Sequence, residues 1–197
     1  MSALRSMETT HKSTAILRCK VAVVGDATVG KTALLQVLKS SGHEYPKNYT
    51  SDVELCVKSV PIPDSNVIVE LYLFDCAGQS IFNQLDFGTS HYKGASLAVV
   101  VFDVNNKESF KSCSKWYQDV KDASPTHNIP GVLIANKTDL RENNRDAISA
   151  KDAEDFCERN DFKYFETSAQ QNTGIEAPFA YIAEWFYKKY QSAAQRA

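Results

Sequence analysis

The run Gly25-Asp26-Ala27-Thr28-Val29-Gly30-Lys31-Thr32 is a complete G-x-x-x-x-G-K-[ST] phosphate loop, and its flanks restrict the fold more than any other segment does. Before it, Cys19-Lys20-Val21-Ala22-Val23-Val24 is β-branched and apolar, as in a buried strand. After it, Ala33-Leu34-Leu35-Gln36-Val37-Leu38 reads as helix. Strand, glycine loop and helix start together aim successive backbone N–H groups and the positive end of a helix at one point. A polyphosphate suits that point, with residues 25–30 as its cradle. Lys31 is then placed to reach the outer phosphates and the Thr32 hydroxyl to ligate Mg²⁺. The alternative, an ordinary βα turn, leaves the agreement of motif and both flanks to coincidence.

The base is addressed farther along. Asn136-Lys137-Thr138-Asp139 follows the short apolar strand Val132-Leu133-Ile134-Ala135. A carboxylate at Asp139 can accept from both the ring N–H and the exocyclic amine of guanine, a donor pair that adenine lacks. Such a site discriminates because the wrong base leaves a buried group unpaired. Glu166-Thr167-Ser168-Ala169 closes another strand, and the small residues Ser168 and Ala169 let backbone amides approach a base oxygen. Between phosphate loop and base segments stands Asp75-Cys76-Ala77-Gly78, a D-x-x-G at the end of Val69-Glu70-Leu71-Tyr72-Leu73-Phe74.

In this order and at these strand ends, the motifs resemble those of Ras-like small GTPases of the Rab branch over residues 18–192. Less generic segments resemble the Rab-like subunits of intraflagellar transport: Val60-Pro61-Ile62-Pro63-Asp64-Ser65, Cys113-Ser114-Lys115-Trp116, Pro130-Gly131-Val132-Leu133 and Glu176-Ala177-Pro178-Phe179. The resemblance implies GTP/GDP and Mg²⁺ as ligands and slow GTP hydrolysis. It assigns Asp75 to the metal through water, the Gly78 amide to the γ-phosphate, and Gln79 to orienting the attacking water. Thr50, in the polar stretch Lys47-Asn48-Tyr49-Thr50-Ser51, would close on Mg²⁺ only when the γ-phosphate is present. The metal set is thus Thr32, Thr50 and Asp75, and the nucleotide set adds Asn136, Lys137, Asp139, Ser168 and Ala169. The resemblance also implies GTPase regulators, a β-sandwich heterodimer partner (intraflagellar transport protein 25), other subunits of intraflagellar transport complex B, and a place in cytoplasm and cilium. Two positions depart from the family pattern. Thr28 stands where glycine is common, in a tight loop where a Cβ crowds the backbone. Gln170 stands where many small GTPases carry lysine.

At 197 residues, with 43% hydrophobic and 23% charged, the chain suffices for one large core. A net charge of −2 with no basic block argues against a nucleic-acid or anionic-membrane surface. The longest apolar stretch, Ala95-Ser96-Leu97-Ala98-Val99-Val100-Val101-Phe102, is strand length. Cys19, Cys56, Cys76, Cys113 and Cys157 are odd in number and scattered, fitting buried small hydrophobes rather than disulfides or zinc. His43 and Tyr45 are read as surface positions, with the base as their alternative contact. Residues 1–17 are expected to be a disordered extension and 193–197 a short tail. Ser2 rules against myristoylation, and a C-terminus without cysteine against prenylation, so no direct lipid anchor is expected.

Alternating strands and helices predict an α/β fold: a six-stranded, mostly parallel sheet with one antiparallel edge strand and helices on both faces. Strands are expected near 19–24, 52–60, 67–74, 96–102, 131–135 and 163–166. Helices are expected near 31–40, 80–92, 107–122, 149–159 and 174–190. On the last helix, Ile175, Phe179, Ile182 and Phe186 form a sheet-packing stripe, with Tyr181, Trp185 and Tyr187 outside it. Those three aromatics either tuck under neighbours or anchor a partner. Two functional classes follow: an enzymatic switch, favoured by Gln79, or a structural subunit with nucleotide as a fold-stabilising ligand, favoured by Thr28 and the missing anchor. A Rab-type vesicle-traffic switch outside the cilium is a further alternative.

Overall fold

The computed structural model describes residues 14–42, 53–76, 92–125 and 129–196. Its six strands are β1 (Ala15–Val24), β2 (Glu54–Pro61), β3 (Val67–Asp75), β4 (Leu97–Asp103), β5 (Gly131–Asn136) and β6 (Phe162–Glu166). They form one sheet in the order β2-β3-β1-β4-β5-β6, antiparallel between β2 and β3 and parallel elsewhere. The expected fold class is therefore correct, and the Pro61–Ser65 segment makes the hairpin. The order changes direction at β1, so the crevice at its carboxyl end is where a ligand belongs in an open α/β sheet.

The described helices are α1 (Lys31–Ser40), α2 (Lys107–Lys111), α3 (Cys113–Asp122), α4 (Ala150–Asn160) and α5 (Glu176–Ala194). Side chains alternate across the central strands, and both faces are covered, which is why these strands read as continuous apolar runs. Val21, Val23, Val99, Val101, Val132 and Ile134 face a core closed by Leu34 and Leu38 of α1 and Phe179 and Ile182 of α5. Ala22, Val24, Val100, Phe102 and Leu133 face a second core closed by Cys113, Trp116 and Val120 of α3 and by Ala153 and Cys157 of α4. Each fully buried leucine or isoleucine contributes about 1.5–3 kcal/mol. All five thiols are free and buried, and burial pushes those of Cys19, Cys76 and Cys157 up to about 12. Among the described residues, no helix is long and apolar enough to cross a membrane.

Several boundaries differ from the sequence reading. Strand β1 begins at Ala15, so the extension placed at 1–17 overlaps it by three residues, and residues 1–13 lie outside the described set. Ala15 to Arg18 pair in register with Val67 to Glu70. They are held mainly by pairing with β3, with Ala15, Ile16 and Arg18 exposed, so no alternating pattern marks them as strand. The helix expected at 107–122 is interrupted at Ser112, whose hydroxyl donates back to the Glu108 carbonyl, a bond that bends helices. Helix α4 starts as expected, with Ser149 accepting from the Asp152 amide. Helix α5 runs to Ala194, so the tail placed at 193–197 overlaps its last turn. Of the helix expected near 80–92, only Tyr92 is described.

The packed face of α5 is wider than the four-residue stripe. Tyr181, Trp185, Phe186 and Tyr187 are half-buried against the first core, and Tyr181 meets Phe165 at 5.6 Å between ring centroids. Lys189 lies over the Trp185 ring at 4.9 Å. Tyr190, in contrast, is 52% exposed.

Candidate nucleotide-binding site

The loop between β1 and α1 takes its shape from three residues in the left-handed region: Gly25 (φ 144°), Thr28 (φ 67°) and Gly30 (φ 96°). A Cβ on Gly25 would strike the Val101 carbonyl of β4, and one on Gly30 the Asn136 amide of β5. Glycine at both positions lets the loop lie directly on the ends of those strands. Thr28 is exposed, so its departure from glycine is a backbone cost rather than a clash. Gly30 also stands at the N-cap of α1 and has no side chain with which to cap the first turn, leaving that end open to an external acceptor.

Lys31, only 6% exposed, folds back over the loop and donates to the carbonyls of Gly25 (2.8 Å) and Asp26 (2.9 Å). Burial holds its ammonium below the usual lysine range, against the opposing pull of Asp75, Cys76 and Asp26. Thr32 Oγ1 donates to Asp75 Oδ2 at 2.6 Å, so two of the three expected metal ligands meet although 43 residues separate them. An anionic carboxylate and a hydroxyl on one spot are the hard oxygen donors that Mg²⁺ takes. The residues present therefore fit a Mg²⁺–polyphosphate.

The two segments expected to read the base converge from β5 and β6. Asn136, 1% exposed, donates from Nδ2 to the Val29 carbonyl (2.9 Å) and accepts at Oδ1 from Thr167 Oγ1 (3.1 Å) and the Ala169 amide (3.3 Å). One side chain thus ties the phosphate loop to the last motif. Asp139 Oδ1 accepts from the buried Ser168 hydroxyl. The Lys137 backbone is left-handed (φ 63°), and its ammonium pairs with Asp103 Oδ2 at 2.7 Å. Arg141 Nη1 meets Glu166 Oε1 at 2.7 Å, and Tyr164 donates to the same oxygen.

The Ras family model matches residues 20–188. The chain belongs to the Ras family. Among curated relatives of this Ras-family protein, intraflagellar transport protein 27 of Chlamydomonas reinhardtii is 43% identical over 183 residues, covering 90% of this chain and 88% of the relative. The Homo sapiens homolog is 37% identical over 182 residues, covering 91% and 95%. The Ras-related protein Rab7 of Glycine max is 36% identical over 171 residues, covering 84% and 80%. As in any Ras-family domain, guanine nucleotide is the ligand.

The structure brings together Gly25, Asp26, Ala27, Thr28, Val29, Gly30, Lys31, Thr32, Asp75, Asn136, Lys137, Asp139, Ser168 and Ala169. Thr50, Gly78 and Gln79 lie outside the described residues, as do His43 and Tyr45. Gln170 is exposed beside the site. The sequence reading missed Asp103, which holds Lys137, and Arg141, which joins the two base-reading segments through Glu166. A carboxylate ending the apolar run Leu97–Asp103 was the available signal for the first. It missed Trp116 as well, whose indole reaches Asp26 (2.7 Å).

Proposed function

We propose that this protein is a Rab-like GTPase that binds GTP in the β1-end crevice, hydrolyses it slowly, and serves as a subunit of intraflagellar transport. The observation that carries the reading is Asn136, which bonds both the phosphate loop and the Ser168–Ala169 segment in a chain 43% identical to an intraflagellar transport protein 27. In this reading the Asp139 carboxylate accepts from guanine, and Ser168 holds that carboxylate in place. Lys31, seated on its loop carbonyls, turns its remaining N–H toward the phosphate oxygens. Thr32, Asp75 and Thr50 would hold Mg²⁺, which neutralises phosphate charge when bound. The Gly78 amide senses the γ-phosphate and Gln79 orients water. With no arginine finger assigned, unaided hydrolysis runs at about 10⁻⁴–10⁻² s⁻¹.

The relatives' names support membership of the intraflagellar transport machinery; within that reading the chain pairs with a β-sandwich partner, intraflagellar transport protein 25, and other complex B subunits, and acts in the cilium. The partner surface is the half-exposed outer side of Tyr181 and Trp185 on α5, whose inner sides pack on the first core. Replacing both by alanine abolishes co-purification with the partner while GTP binding survives. Lost nucleotide binding would instead show that the core contacts of the two rings, not a partner's pocket, are what the pair supplies. A second reading, nucleotide as a constitutive structural ligand, is favoured by the left-handed Thr28, which loads strain onto the loop that hydrolysis must use. Single-turnover GTP hydrolysis, with and without extract of ciliated cells, separates the two. Acceleration by extract supports the switch, and no turnover in either condition supports the structural ligand.

A further inference from the structure

Among the described residues, three contacts tie the phosphate loop to neighbouring strands and helix, and two of them are made by the loop's backbone. Gly25 rests on the Val101 carbonyl, and the Val29 carbonyl accepts from Asn136. The third is of another kind. Trp116 of α3, 6% exposed among Cys113 and Val120, donates its indole N–H to Asp26 Oδ1 at 2.7 Å across 90 residues of chain. Indole nitrogen is a donor only, and a buried one needs an acceptor. A short bond to a carboxylate is the stronger, charge-assisted kind.

Asp26 has two parts with opposite consequences for a phosphate site. Its carbonyl holds the Lys31 ammonium in the loop at 2.9 Å, which helps an anion bind. Its carboxylate is a negative charge within the anion-binding loop itself, which opposes binding. Trp116 turns that carboxylate toward α3 and satisfies it there. We infer that Trp116 is a positioning residue for nucleotide retention: its indole N–H holds the Asp26 carboxylate against α3, away from the polyphosphate, and so fixes the carbonyl on which Lys31 rests. This rests on the nucleotide-site reading above. It also makes α3 a mechanical handle on the phosphate loop, because a displacement of that helix releases the carboxylate toward the bound anion.

Release of a fluorescent GDP analogue from the loaded full chain, measured with Mg²⁺ present, tests the role. Trp116→Phe keeps an aromatic ring in the core while removing the donor along with part of the indole, and is expected to release the analogue about tenfold faster. Adding Asp26→Asn to that variant removes the freed charge and is expected to bring the rate back toward the parent. A packing role for the indole would not be rescued by a change of charge on another residue. Should Trp116→Phe fail to fold, the indole N–H resonance of the parent decides. It is expected downfield and to move upfield in Asp26→Ala. A parental release rate in Trp116→Phe, a fast rate that Asp26→Asn leaves unchanged, or an indole resonance indifferent to Asp26→Ala would each overturn the inference. Failure of the parent itself to hold guanine nucleotide would show at loading, before any variant is compared, and would overturn the site reading along with it.

Discussion

The two ends of the candidate site are built differently. At the phosphate end, shape comes from backbone: left-handed φ at Gly25, Thr28 and Gly30, a strand end pressed against each glycine, and Lys31 resting on two carbonyls. At the base end, shape comes from side chains meeting across the chain: Asp139 with Ser168, Asn136 with Thr167, Lys137 with Asp103, Arg141 with Glu166. Apart from Asp26, Lys31 and Thr32, the phosphate end should therefore tolerate many side chains but few added atoms at its glycines. The base end should tolerate replacement of atoms, and answer by changing what it selects. Asn136 belongs to both and couples them.

The sharpest way to break this contrast is Asp139→Asn. It leaves the fold intact but replaces a double acceptor by a mixed donor and acceptor, so GTP affinity falls by about 10³-fold. Xanthosine nucleotides become preferred, because their extra carbonyl accepts from the new amide; competition binding with both bases measures the exchange. Gly30→Ala attacks the other end. The new Cβ needs the Asn136 amide to move and sits at φ 96°, so affinity for every nucleotide falls together, by about a hundredfold. A change of base preference in Gly30→Ala would contradict the division of labour. Gln79→Leu is expected to slow single-turnover hydrolysis about tenfold or more with GTP affinity nearly intact; an unchanged rate moves the balance toward the structural-ligand reading. The smallest effect belongs to Thr28→Gly. Relief of the left-handed cost, less the added freedom of the unfolded chain, leaves about 0.5–1 kcal/mol of stabilisation, read as a higher unfolding midpoint in urea.

The same contrast decides what the sequence made legible. The phosphate loop is a contiguous octapeptide whose spacing is dictated by backbone geometry, and its order of strand, loop and helix was readable directly. The meeting of Thr32 with Asp75, and of Asp139 with Ser168, was readable only through the order of motifs, because each pair is joined by sheet topology. Lys137–Asp103 and Arg141–Glu166 escaped notice, since an isolated acid or arginine at a strand end carries no local signature of its partner. Trp116 was visible only as part of a family-like segment. Its helix position says it is buried, and nothing in its neighbours names Asp26. On the fold, the apolar runs of β1, β4 and β5 revealed a sheet covered on both faces. The first residues of β1 are held mainly by pairing with β3, so no alternation was there to place them. The aromatics of α5 were misjudged in extent for a related reason: a 100° stripe describes packing on a flat sheet, whereas Tyr181 finds Phe165 beyond the stripe's edge.

In the proposed reading, one crevice takes guanine at its side-chain-built end and phosphate at its backbone-built end. Its most direct test is displacement of a fluorescent GDP analogue from the full chain by GDP, ADP and inorganic pyrophosphate, each titrated with Mg²⁺ in excess. GDP is expected to displace the analogue at least about 10³-fold more effectively than ADP, with pyrophosphate far weaker than GDP. Equal displacement by GDP and ADP would contradict it.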